Sequence, residues 1–162
     1  MAEEVAATTG ALMALWTRVR VEVVISEKVL VVFDPDQGYR DLAAAFEMGG
    51  APVDELLWVI TAWNPGALER EARVNRLSQA RMLLQLARAG VGFFPSKGSA
   101  EGWEEPGTAF FSPTEERVAA LAKRFGQLGY YRFSRTEGFC VDAGGHFPPA
   151  RLLGSGKEVS TT

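Results

Sequence analysis

At 162 residues, with 47% hydrophobic and 23% charged residues, the chain has the proportions of one globular domain, which excludes disordered, collagen-like and coiled-coil readings. A formal net charge of −3 and a pI near 5.3 argue against a general nucleic-acid binder, which carries a basic excess. The single cysteine, Cys140, can form no internal disulfide and joins no Cys/His cluster of zinc-ligand spacing, no apolar run approaches the ~20 residues of a membrane span, and the N-terminus MAEEVAATTG is acidic where a signal peptide is basic. The expectation is a cytoplasmic chain with no metal, no cofactor and no membrane association.

In chain order, residues 1–9 read as a flexible end, and 10–18 (GALMALWTR) as a short helix with Leu12, Leu15 and Trp16 on one side. VRVEVVI (19–25) and KVLVVF (28–33) are rich in β-branched residues and flank Ser26-Glu27, which predicts a hairpin. Asp34-Pro-Asp-Gln-Gly38 is turn chemistry, and YRDLAAAFEMGG then predicts a helix stopped by Gly49-Gly50. LLWVITAW (56–63) has almost no polar residue, as a central strand covered on both faces requires.

From Leu68 to Ala89 the spacing predicts a helix, with Leu68, Ala72, Met82, Leu83 and Leu86 on one apolar arc and Asn75 and Gln79 inside it. VGFFP reads as a strand, SKGSAEGWEEPGT as a glycine-rich loop and AFF as a short strand. Ser112-Pro113-Thr114-Glu115 carries the signals of an N-cap, a first-turn proline and a capping box, predicting a helix to about Leu128 that buries Val118, Leu121, Ala122 and Phe125. YYRFS and GFCVD form a last hairpin, and 145–162 reads as a flexible tail. The sum is one α+β domain over 10–144: a mixed β-sheet with about three helices packed on it, in the order (α)ββαβαββαββ.

The motifs ITAWNP (60–65), NRLSQAR, WEEP and KRFGQ occur in an order and spacing that resembles DUF3293, a family of small bacterial proteins of unknown function. The resemblance covers roughly residues 12–142. Asn64, Pro65, Asn75, Glu105, Pro106, Phe125, Gly126 and Gln127 match its pattern; Ala67, Ser78 and Gly107 stand where relatives carry serine, arginine and serine, and Leu128 where an asparagine is frequent.

Each matched polar residue has two readings. Asn64 sits where a strand ends and a helix begins, so it either receives an anionic ligand group there or caps the helix. Asn75 and Gln79, on an apolar arc, either tether a neighbouring loop or face a cleft, since an unpaired buried amide costs about 1–3 kcal/mol. Gln127, beside Gly126, either clamps backbone at a helix end or lines that cleft. Glu105 is the one carboxylate the resemblance carries over, set against a solvated acidic loop with Glu101 and Glu104. Trp103 either closes over a flat ligand or pins the loop. Arg70, Arg81 and Arg88 read as a solvated helix face, His146 has no triad partner nearby, Cys140 reads as a small buried hydrophobe, and GSGK (154–157) lacks the context of a phosphate loop.

The expected site is a cleft at the end of the 56–63 strand lined by Asn64, Asn75, Trp103, Glu105 and Gln127, taking a small polar or nucleotide-like ligand. The alternative is a non-catalytic interaction or regulatory module, with a protein partner or a second copy of the chain, whose matched residues only hold loops. Neither reading assigns catalytic residues.

Overall fold

Leu56–Ile60 is apolar at every position, and in a computed structural model of the chain, which describes residues 2–154, both of its faces are covered. In order, the elements are α1 (Ala2–Trp16), β1 (Arg20–Ile25), β2 (Lys28–Phe33), α2 (Leu42–Met48), β3 (Leu56–Ile60), α3 (Ala72–Arg88), β4 (Phe94–Ala100), β5 (Trp103–Ser112), α4 (Glu116–Arg124), β6 (Gly129–Phe133), β7 (Gly138–Asp142) and β8 (Ala150–Arg151). The strands form one curled eight-stranded sheet in the order β2-β1-β4-β5-β3-β6-β7-β8. This is a single α+β domain, as expected. Every ladder is antiparallel, however, so the expected mixed sheet is corrected.

Alternation along β3 divides the core. Leu57 and Val59 face α1 and α2 with Val21, Val23, Phe33, Phe46 and Phe133. Trp58 and Ile60 face α3 and α4 with Met82, Leu86, Phe110 and Leu121. Trp58 is 1% exposed, and its indole N–H donates to the Ser112 carbonyl at 3.0 Å, so the largest core side chain is buried with its polar atom satisfied.

Several boundaries differ from the expectation. The glycine-rich segment 96–108 is a hairpin, β4–β5, turning at Glu101-Gly102 with Gly102 at φ 70; its small residues read as loop because what holds them extended is pairing to β1 and β3, remote in the chain. Ser112 still pairs with Leu56 and bonds Thr114 in a local turn, so α4 begins at Glu116, with Glu115 in the N-cap place making no side-chain cap. That helix closes at Gly126, φ 66, where the Gln127 N–H donates to the Ala122 carbonyl. α3 starts at Ala72, leaving Leu68 exposed. Helix α1 runs from Ala2 to Trp16; over residues 9–16 its buried positions are Thr9 and Met13, while Leu15 points outward at 63% exposure.

The expected tail from 145 onward is corrected up to residue 154; residues 155–162, including most of GSGK, lie outside the described residues. The Asp142 carboxylate accepts the N–H groups of Gly144, His146 and Phe147, turning the chain back so that β8 pairs with β7 and Leu152 enters the core. The Tyr39 hydroxyl accepts the Gly138 N–H at 2.9 Å and donates to the Leu152 carbonyl. Among the described residues no helix is long and apolar enough to cross a membrane.

Leu152 is fully buried, so Leu152→Ala should cost about 2–5 kcal/mol in urea unfolding. An unchanged midpoint would mean that this segment does not belong to the core.

Candidate functional site

Beyond Ile60 the chain leaves the sheet, and the backbone polar groups it exposes there must find partners. Side chains supply four of them over residues 62–64. Gln79 Oε1 accepts the Ala62 N–H at 3.0 Å, and Thr61 Oγ1 accepts the Trp63 N–H at 3.0 Å while donating to the Pro106 carbonyl at 2.7 Å. Asn64 and Asn75 are paired reciprocally: Asn75 Oδ1 accepts the Asn64 N–H at 2.9 Å, and Asn75 Nδ2 donates to Asn64 Oδ1 at 2.8 Å. Asn64 Oδ1 also accepts the Arg70 N–H at 3.0 Å. Gln127 Nε2 donates to the Trp63 carbonyl at 3.0 Å, and the Gly66 N–H donates to the Gly126 carbonyl at 2.7 Å.

The loop needs this clasp because Asn64 (φ 47), Gly66 (φ 67) and Ala67 (φ 61) all sit in the left-handed region. Asparagine and glycine enter it readily; alanine does so at a cost of order 1 kcal/mol, which the surrounding bonds must offset. The cap reading of Asn64 is therefore corrected: its side chain closes the 64–70 loop, and the N-cap place of α3 belongs to Glu71, which makes no side-chain cap.

Inside this rim, on the α1 face of the sheet, lies a cavity of about 710 Å³. Its floor comes from inward-facing positions of β4, β5 and β6, where Ser96, Gly98, Gly107 and Gly129 present little or no side chain. Two of these glycines are required by close approach: a Cβ on Gly129 would lie 2.6 Å from the Trp16 ring, and one on Gly107 would lie 2.7 Å from the Ile60 carbonyl and 2.8 Å from Ser96 Oγ. The walls are Leu12 and Trp16 of α1, Trp63, Trp103, and Tyr131, whose hydroxyl donates to the Trp16 carbonyl at 2.8 Å. The exposed lining residues Leu15, Arg18, Ala67, Glu101 and Trp103 mark the mouth.

Glu105 projects from β5 into this apolar setting. Burial pushes its carboxyl up to about 7 against an ordinary 4.5, and the Thr61 hydroxyl beside it opposes the shift only in part. Burial also raises the Tyr131 hydroxyl well above the usual tyrosine range, with Cys140 and Glu105 acting in the same direction, and pushes the Cys140 thiol up to about 12. Cys140 is thus a protonated, buried lining group and not an activated nucleophile. The indole Nε1 of Trp63 is buried and has no hydrogen-bond partner among the described residues.

Of the expected site residues, Asn64, Trp103, Glu105 and Gln127 line this one cavity, and Asn75 stands behind it as the tether of Asn64. Trp103 and Glu105 lie on a strand and not in a loop. Ala67 is at the mouth, and Gly107 is in the floor beside the hydroxyl of Ser96; Ser78 is on α3, away from the lining. Arg81 and Arg88 are solvent-exposed. The sequence reading missed Thr61, Trp63 and Tyr131. Thr61 and Trp63 stand inside ITAWNP itself, and Tyr131 faces Cys140 directly across the β6–β7 ladder, which an alternation count on that hairpin would have placed together.

The family model DUF3293, described as a protein of unknown function, matches residues 60–129, from the last residue of β3 to the first of β6. This supports the membership that the motifs imply, over less than half of the 162-residue chain. The matched span contains the clasp, Trp103 and Glu105, and leaves out α1, Tyr131 and Cys140. No curated protein and no solved structure matches the chain.

Asn75→Ala removes the acceptor of the Asn64 N–H and one of the two donors to Asn64 Oδ1, so urea unfolding should show a loss of about 1–3 kcal/mol; an unchanged midpoint would mean the pair does not hold the loop. Glu105 yields a second expectation. Its folded pKa lies above its unfolded value, so the protein binds the proton more tightly when folded, and this stabilisation is lost as pH rises from about 4.5 through about 7. Glu105→Gln, which cannot ionise, should therefore gain on the parent as pH rises, by up to about 3 kcal/mol above pH 7. A difference between the two that stays constant from pH 5 to pH 8 would contradict the raised carboxyl.

Proposed function

We propose, with membership of the DUF3293 family as the premise, that this chain is a small-molecule-binding protein whose ligand occupies the cavity on the α1 face, with Glu105 and Gln127 inside and Trp103 at the mouth. The single observation that carries the reading is Glu105 itself. Holding a carboxyl in an apolar cavity disfavours its charged form, and a packed hydrophobic side chain would be more stable there, so the group needs a reason outside the fold. The volume, about 710 Å³, lies within the range of small-molecule sites, ~300–1,000 Å³.

The lining also narrows the ligand. A nucleotide needs cations or a row of free N–H groups for its phosphates, and Arg18 is the one basic residue on this cavity's surface. A mainly apolar body with few polar atoms is the better fit, with the free Trp63 N–H available to an acceptor. A bacterial, cytoplasmic setting belongs to the same proposal. The second reading is a non-catalytic interaction module, favoured by the fact that Asn64, Asn75 and Gln127 all spend hydrogen bonds on the loop backbone.

A metabolite screen read by thermal unfolding tests the choice. A compound present at 100 times its dissociation constant stabilises by about 2.7 kcal/mol. Ala100→Trp, at an exposed lining position, fills the mouth while leaving the core intact. Hits that stabilise the parent and fail on this variant are expected; hits that stabilise both equally, or a screen without hits, would favour the interaction module.

A further inference from the structure

Three of the chain's four tryptophans, Trp16, Trp63 and Trp103, contribute to one cavity, and Tyr131 adds a fourth aromatic side chain. The fourth tryptophan, Trp58, is sealed in the core on the opposite face. The charged groups on the lining are two carboxyls, Glu101 and Glu105, and one guanidinium, Arg18, at the exposed mouth. The other acids on and near this end of the sheet are matched: Glu22 pairs with Arg20 and Lys97, and Glu104, which faces away from the cavity on β5, pairs with Lys97. Among the described residues no lysine or arginine pairs with Glu105. The carboxyl set inside the aromatic enclosure therefore has no cation of its own, and Glu101 at the mouth makes no ion pair among the described residues either.

We propose that the ligand is an organic cation, an amine or quaternary ammonium carried on an apolar body, with its charge set against the Glu105 carboxylate and its surface against the indole and phenol walls. This rests on the binding reading above and specifies its ligand. Two physical facts favour it. Aromatic faces attract a desolvated cation through their quadrupole, and they do so best when water is excluded, as in a cavity. A buried carboxylate is costly alone and tolerable when a counter-charge is delivered to it, so the ligand supplies what the fold omits. An anion would meet Glu105 and Glu101 with Arg18 alone in its favour.

The two states of Glu105 make the assignment measurable. The groups facing it are Thr61 of the rim, Tyr131 of β6, Cys140 of β7, Glu101 at the β4–β5 turn and Arg18 after α1; the facing positions of β1 and β4 carry Val19, Val21, Ser96 and Gly98 and do not titrate. Tyr131 and Cys140 are pushed upward and stay protonated near neutrality. A permanently charged ligand should therefore bind more tightly as Glu105 ionises on raising the pH from about 6 to about 8.

The probes are benzyltrimethylammonium, its uncharged isostere neopentylbenzene and the anion phenylacetate, titrated into the whole chain with tryptophan fluorescence and calorimetry as readouts. The cation is expected to bind at least about tenfold more tightly than the isostere at pH 8, with an affinity that rises between about pH 6 and 8. Glu105→Gln should remove that rise and weaken the cation about tenfold while leaving the isostere unchanged. Equal or tighter binding of the isostere or of phenylacetate, or a cation affinity flat in pH in the parent, overturns the cation assignment and leaves a binding cavity standing. Failure of all three probes to bind or quench overturns both the assignment and the cavity reading. The pH profile of the parent keeps the test decisive even if Glu105→Gln does not fold.

Discussion

The reciprocal amide pair of Asn64 and Asn75 determines where the chain goes after β3, and the cavity depends on that path. One amide on α3 accepts the backbone N–H and donates to the side-chain oxygen of a residue in the left-handed region, and replacing the buried Asn75 by an apolar group would leave the Asn64 N–H without its acceptor. Gln79 and Gln127 act on the neighbouring backbone groups from α3 and from the end of α4, so two helices on one side of the sheet hold a loop that borders a cavity on the other. The amides of the motifs are thus largely spent on holding the backbone of Trp63 and its neighbours, while Asn64, Glu105 and Gln127 also line the cavity.

The opposite wall has a different origin. Helix α1 can approach the sheet closely because Gly129 lies under Trp16, and Tyr131 then ties the end of that helix through the Trp16 carbonyl. Removing side chains along the inward faces of β4, β5 and β6 leaves a space that the helix spans without filling. A close-packed core does not leave such a volume open by default, since each unfilled methylene group is felt in stability. Beside it, the α3–α4 face of the same sheet is packed with Trp58, Phe110, Met82 and Leu121. One sheet therefore carries a filled face and a hollow one, and among the described residues Glu105 is the carboxyl inside the hollow one, with Glu101 at its mouth. The electrostatics of Glu105 follow from the wall chemistry: desolvation dominates, and the Thr61 hydroxyl beside it opposes the shift only in part.

Much of the fold was legible in the chain because local signals and tertiary demands agreed. The β-branched runs around Ser26-Glu27 form a hairpin whose two turn residues both take positive φ, 51 and 65, and the apolar run read as a strand over 56–63 is one over 56–60, lying between β5 and β6 with both faces covered. Val118, Leu121 and Ala122 are buried on α4 as their spacing implies. Asn75, Glu105 and Gln127 were expected together at the strand end; Glu105 and Gln127 line the cavity, and Asn75 stands behind it as the tether of Asn64.

What the sequence could not decide was set by partners distant along the chain. Residues 96–108 have loop composition and are strands because β1 and β3 supply the backbone partners; Ser112 carries the signature of a helix cap and stays in the sheet because Leu56 pairs with it. Leu152 sits in a polar, glycine-rich stretch and is core because Asp142 turns the chain back and Tyr39 receives it. The cavity belongs to the same class. Local pattern determined which residues can be helix, strand or turn, since those preferences act over a few residues, whereas the hollow face of the sheet arises only when α1 and the 61–67 loop, each placed by long-range hydrogen bonds, close over positions that lack side chains.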